Sequence, residues 1–180
     1  GKASQMGLRT LALTEEAGGA GADCMTSCIV MEELAAGEVD IAAALGHTAA
    51  LAPWAFDRMN AAQRARFLAK FAADDAFHFA FAGRDPQAGL GWSYHRPYVA
   101  DDAPELSAAK QGNGDWLING TLPFVANAPI AQLFIVQART DPQKTGANGL
   151  SAFAVPRGTP GLTVGTPPPG FIITASTPNI

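Results

Sequence analysis

Asp115-Trp116-Leu117-Ile118-Asn119-Gly120-Thr121 is the stretch whose reading decides the fold. Trp116–Asn119 has strand-forming character, and Asn119-Gly120 can adopt the left-handed angles of a tight two-residue turn. A second strand is expected over Thr121–Val125, so the segment predicts a β-hairpin turning at Asn119-Gly120. Phe124-Val125-Ala126-Asn127 and the apolar run Leu133-Phe134-Ile135-Val136 follow closely, extending the β character on the C-terminal side.

On the N-terminal side the period of two begins at Phe77. Phe77, Phe79 and Phe81 alternate with Ala76, His78, Ala80 and Ala82, the pattern of a half-buried strand with His78 on its polar face. Further strands are expected at Leu133–Ala138, Leu150–Val155 and Leu162–Val164. Gln111-Gly112-Asn113-Gly114, Thr145-Gly146-Ala147-Asn148-Gly149 and Pro167-Pro168-Pro169-Gly170 separate them. Short strands at regular turns predict an antiparallel β-barrel or sandwich.

Before about Asp75 the signals are helical. Asp23 is placed to cap a helix that ends at Gly37. Its apolar residues Cys24, Cys28, Met31 and Ala35, widened by Ile29, Val30 and Leu34, predict contact on several sides. A second helix is expected from Asp40 to Leu51, ending near Pro53. A third starts at Asn60, with Gln63 in capping-box position and Phe67, Leu68 and Phe71 on one face. The fold class is therefore α+β with segregated halves: a portion of a helical bundle over residues 1–75 and a β-domain over 76–180.

Cys24 and Cys28 fall on one helix face. Without a third cysteine or a nearby histidine they are too few for a closed zinc site, so they are expected as small buried apolar residues, and no metal site is expected. His47 is expected in helix packing, and neither it nor His78 has a visible catalytic partner. With a formal charge of −4 over 180 residues and scattered Lys and Arg, a nucleic-acid role is not expected. The apolar stretch Ile41–Ala55 falls short of the ~20 residues of a membrane span, and the N-terminus lacks a signal-peptide core. A cytoplasmic protein with no membrane partner is expected. Both ends are expected to be cut points of a longer protein.

Six features in order resemble the acyl-CoA dehydrogenase family. They are Thr14-Glu15-Glu16-Ala17-Gly18-Gly19-Ala20-Gly21, Val30-Met31-Glu32-Glu33-Leu34-Ala35, Gln63-Arg64-Ala65-Arg66-Phe67-Leu68, Asp115–Thr121, Ser151-Ala152-Phe153-Ala154-Val155 and Gly158-Thr159-Pro160-Gly161. The resemblance implies FAD as cofactor, an acyl-CoA thioester as substrate, α,β-desaturation with hydride passing to flavin N5, and a place in fatty acid metabolism. It further implies an electron-transfer flavoprotein as acceptor and a homo- or hetero-oligomer. By the same resemblance the C-terminal helical domain, with the catalytic carboxylate, is absent from this chain, so no catalytic residue is assigned within it.

Two segments are implied as flavin contacts. Phe81-Ala82-Gly83-Arg84-Asp85-Pro86-Gln87-Ala88-Gly89-Leu90-Gly91 resembles the family's aromatic-x-x-Thr-Glu-Pro-x-Ala-Gly-Ser-Asp loop, and Phe124-Val125-Ala126 resembles its Trp-Ile-Thr triplet. The implied cofactor contacts are Phe81, Ala82, Gly83, Arg84, Asp85, Leu90, Phe124, Val125 and Ala126; Leu90 and Ser176 are implied on the substrate side. Arg84, Leu90 and Ala126 depart from the family by replacing hydroxyl residues. Arg84 either pairs with a flavin or CoA phosphate, occludes the site, or points to solvent. Gly91–Tyr98, with His95, either lines an acyl pocket or forms a surface loop. These departures keep two alternatives open: a non-catalytic, flavin-poor partner subunit, and a flavin monooxygenase of the same fold.

Overall fold

The computed structural model describes residues 2–83, 106–122, 125–144, 146–165, 175, 176, 178 and 179. It forms two compact units, Gly1–Ala80 with Ile130–Gln132, and Phe81–Pro129 with Leu133–Ile180.

The first unit holds four helices: α1 Lys2–Gln5, α2 Cys24–Gly37, α3 Val39–Arg58 and α4 Ala61–Ala73. Two begin where their caps predict. The Asp23 carboxylate accepts from Thr26 N–H, and that bond holds its carboxyl below the usual carboxylate range. Asn60 and Gln63 exchange side-chain and backbone bonds at 2.9 and 3.0 Å, a complete capping box.

Helix α3 departs from expectation because Pro53 lies inside it rather than at its end. Proline removes one helical N–H, a local cost. Continuation as far as Arg58 places Ala55 and Phe56 in the core beside Ala52, and that burial outweighs the lost bond. Helix α2 departs in the other direction. None of its residues is fully buried, Met25 and Ile29 are exposed, and Cys24 and Cys28 are exposed rather than buried. The helix meets α3, and its remaining apolar face has no cover among the described residues.

Phe56, Phe67, Phe71, Phe77 and Phe79 fill the core of this unit. Phe71 is central, with ring centroids of Phe56, Phe77 and Phe79 at 5.5, 5.7 and 5.2 Å. Arg9 is buried against it. Its guanidinium lies 4.2 Å from the Phe71 ring centroid and donates to the carbonyls of Phe71 and Phe77 at 2.6 and 3.3 Å. The Phe71 carbonyl lies in the last turn of α4, where intrahelical donors run out, so Arg9 caps that end.

A five-stranded sheet has the order β1-β5-β2-β3, with β6 also pairing β5. Its strands are β1 His78–Ala82, β2 Ser107–Lys110, β3 Trp116–Asn119, β5 Ala131–Arg139 and β6 Leu150–Pro156. Two short ladders complete the β structure: β4 Val125–Ala126 with β8 Ala175–Ser176, and β7 Thr163–Val164 with β9 Pro178–Asn179. Helices followed by β structure, as expected, is the observed order. The sheet is mixed, because β2 meets β5 in parallel at Ser107 and Arg139, and among the described residues it does not close into a ring. Strand β1 is covered more fully than its alternation predicts, with Ala80 and Ala82 as buried as Phe79.

The hairpin is real but turns elsewhere. Strand β3 pairs antiparallel with β2, from Ser107 opposite Asn119 to Lys110 opposite Trp116. The turn is therefore Gln111–Asp115, closed by Gln111 N–H on the Asp115 carbonyl at 2.8 Å. Gly114, at φ +92°, supplies the left-handed residue, and the Asn113 side chain holds Asp115 at 2.7 and 3.0 Å. Asn119-Gly120 instead ends β3. Both Asn-Gly pairs carry the same local signal, and the choice between them depends on the partner strand.

Candidate functional site

The described part of the first implied flavin segment is Phe81-Ala82-Gly83, at the end of β1. Ala82 is buried and Phe81 half-buried. Gly83 is required by space: an added Cβ would lie 2.7 Å from Gln137 Cβ and 2.9 Å from both Gln137 Oε1 and Phe81 Cζ. Gln137 Oε1 is itself buried without a hydrogen-bond partner among the described residues. Arg84, Asp85 and Leu90 lie outside the described residues, as do His95 and the rest of Gly91–Tyr98.

The second segment falls on β4, with Phe124 again outside the described residues. Val125 is 1% exposed and Ala126 half-buried. Strand β4 pairs antiparallel with β8, Val125 opposite Ser176 and Ala126 opposite Ala175. The backbone thus brings two implied cofactor residues and one implied substrate residue together, while Phe81–Gly83 belongs to the other sheet. After β4 the chain reverses: Ala128 N–H donates to the Val125 carbonyl at 3.2 Å, and Asn127 between them is buried at φ +63°. The Arg157 guanidinium donates to the Ala128 carbonyl and lies 5.7 Å from the Phe134 ring centroid.

Sequence reading missed three of these groups. Asn127 and Arg157 bond main chain or adopt a backbone angle, which leaves no side-chain pattern to read. His78 is the third, and it does have a partner. Its Nδ1 lies 3.0 Å from the hydroxyl of buried Thr48, which also accepts from Phe79 N–H at 3.3 Å. This contact ties α3 to β1 and is structural. Among the described residues no group of three or more His, Cys, Asp or Glu is placed to hold a metal, and no helix is long and apolar enough to cross a membrane.

Burial lowers the pKa of His78 from its usual 6.5, with the Arg9 charge acting the same way and Asp74 opposing; burial lowers His47 too. The folded chain therefore binds these protons less readily than the unfolded chain. Stability is intact above about pH 6.5 and falls as pH drops below it. Thermal midpoints should be flat from pH 8 to 7 (a range set around the histidine pKa, roughly 6.5) and decline below it. The decline should be shallower in His78→Asn, and an equal slope in that variant would contradict the assignment.

Residues 1–75 match the family described as acyl-CoA dehydrogenase, N-terminal domain, and residues 99–174 match acyl-CoA dehydrogenase, middle domain. The chain belongs to the acyl-CoA dehydrogenase family. It is 33% identical over 165 residues to a cyclohex-1-ene-1-carbonyl-CoA dehydrogenase of Syntrophus aciditrophicus (strain SB), covering 90% of this chain and 36% of that protein. Butyryl-CoA dehydrogenase from Megasphaera elsdenii superposes with a TM-score of 0.81 at 26% identity, covering 99% of this chain and 46% of the other. A structure described as PigA with FAD and proline superposes at 0.79 with 27% identity, covering 99% and 45%. The chain thus spans less than half the length of each of these three proteins. The family's members are FAD-dependent oxidoreductases.

Of the described residues in the second segment, Ala126 is the one open enough to form part of a wall against a flavin ring. Val125, 1% exposed, lies in the core beside it. Neither side chain carries a hydrogen-bonding group.

Proposed function

We propose that the chain contributes a helical part, residues 1–75, and a middle β-domain, residues 76–180, to an FAD-dependent oxidoreductase that desaturates an acyl-CoA thioester between its α and β carbons. The observation that carries this reading is the family match running in order through both parts. Phe81, Ala82, Gly83, Arg84, Asp85, Leu90, Phe124, Val125 and Ala126 form this chain's share of the flavin site, and Leu90 and Ser176 its share of the thioester side. A bound flavin supplies the hydride acceptor. Within this chain the roles are to hold the ring, orient it and exclude water, because the α-proton passes to a carboxylate that family precedent puts elsewhere. Electron-transfer flavoprotein is the acceptor, and the working assembly is a cytoplasmic homo- or hetero-oligomer.

The methyl side chain of Ala126 favours a second reading, a partner subunit that has given up flavin, and a flavin monooxygenase of this fold stands beside it. Anaerobic titration of the full-length protein with acyl-CoAs, followed by flavin absorbance, separates the three. Bleaching of bound flavin supports desaturation. Bound flavin that no acyl-CoA reduces, but that after reduction by another electron donor is reoxidised by oxygen with formation of an oxygenated product, supports the monooxygenase. A protein that takes up no FAD supports the partner subunit.

A further inference from the structure

Ala126 occupies a position whose side chain cannot hydrogen-bond a flavin, so any hydrogen bond from this residue must come from its main chain. The placement of that main chain is then decisive. Its ladder is short, since β4 pairs with β8 over only Val125–Ser176 and Ala126–Ala175, and a two-stranded pairing by itself is marginal. What fixes it further is the turn that follows. Ala128 N–H closes on the Val125 carbonyl at 3.2 Å, with Asn127 at φ +63° in the third place, where a type II turn requires a positive angle.

Arg157 grips this turn from outside. Its guanidinium donates to the carbonyl of fully buried Ala128 and lies 5.7 Å from the ring centroid of fully buried Phe134 on β5. Arg157 is itself carried on a closed turn. Thr159 N–H and Thr159 Oγ1 both donate to the Pro156 carbonyl, at 3.1 and 2.7 Å, and Gly158 sits at φ +83°. A planar guanidinium can donate along its edge and lie against a ring with its face at the same time; a lysine ammonium cannot do both.

We propose that Arg157 is a positioning residue for the flavin wall, acting through the Ala128 carbonyl to set the main chain of Val125 and Ala126. This rests on the flavin reading above. The test uses the full-length protein with Arg157→Met, which keeps the stem, and Arg157→Lys. Three quantities are measured: FAD affinity by equilibrium titration, the absorbance spectrum of bound flavin, and the thermal midpoint. Losing a charged hydrogen bond that places the wall should weaken FAD binding by about tenfold in Arg157→Met. The flavin band should shift, and Arg157→Lys should fall between.

Unchanged affinity and spectrum in a folded Arg157→Met protein overturn the inference. So does a loss of affinity that only tracks loss of folded protein and that lysine does not relieve. If Arg157→Met fails to fold, Arg157→Lys decides: an unchanged affinity and spectrum in that variant overturns the inference as well. A wild-type protein that binds no FAD overturns the flavin reading itself, whereas wild-type binding with unaltered variants overturns only the role of Arg157.

Discussion

Replacing Phe71 by alanine is expected to lower the unfolding free energy of the helical unit by about 3–5 kcal/mol. The residue is fully buried and touches three other phenylalanines and the Arg9 guanidinium. The cost has two parts, lost transfer of the ring from water and the cavity left behind. Collapse around that cavity is hindered, because the neighbouring rings come from α3, the segment after α4, and β1, whose backbones are fixed by their own hydrogen bonds. Typical domains are stable by roughly 5–15 kcal/mol, so the variant should be largely unfolded well below the wild-type midpoint. Urea unfolding followed by helical circular dichroism measures this. A loss below about 1 kcal/mol, the range of ordinary surface changes, would mean that Phe71 is not the centre of the core.

Arg9→Met should be the second large effect, a loss of roughly 2–4 kcal/mol. Methionine keeps an apolar stem against Phe71 but orphans two carbonyls, those of Phe71 and Phe77, that now accept from the guanidinium. Burial pulls the Arg9 pKa down from its ordinary value while Asp75 and Asp74 push it back up. The arginine remains charged, as arginines do in proteins. It therefore serves as a cation at the C-terminal end of α4, where the helix dipole favours one. The same urea experiment reports it, and Arg9→Lys should recover only part of the loss because an ammonium lacks the guanidinium's planar face and fork. Full recovery by lysine would show that charge alone, rather than the two-carbonyl geometry, sets the contribution.

What was legible before the structure follows a physical division. The cap at Asp23 and the box at Asn60 and Gln63 were readable because each interaction closes within three residues. The end of α3 was not, since Pro53 signals a local break while Ala55 and Phe56 are claimed by a core assembled from distant segments. Strand β2 escaped notice for a related reason. Ser107-Ala108-Ala109-Lys110 has little intrinsic strand preference, and it is recruited by pairing with Trp116–Asn119. That recruitment moved the hairpin turn from Asn119-Gly120 to Gln111–Asp115. Cys24 and Cys28 are exposed although their residue type suggests the interior, because burial depends on what covers α2.

The candidate site divides in the same way. Phe124-Val125-Ala126 could be located by its order after the hairpin, and the missing hydroxyl at Ala126 was evident from the letter alone. The parts that hold it were hidden. Asn127 contributes a backbone angle and Arg157 a bond to a main-chain carbonyl, and neither produces a spacing or a period. Gly83 could be placed in the segment by its resemblance, but its reason, the close approach of Gln137, belongs to the pairing of distant strands.

On the proposed reading, this chain supplies part of the flavin site of an acyl-CoA-oxidising enzyme. The decisive measurement is anaerobic addition of acyl-CoA to the full-length protein after incubation with FAD. Bound flavin is expected to lose its blue-region absorbance with at least one acyl-CoA, and the α,β-unsaturated thioester to appear in equal amount. Failure to take up FAD, or bound flavin that stays oxidised with every acyl-CoA offered, would contradict that reading.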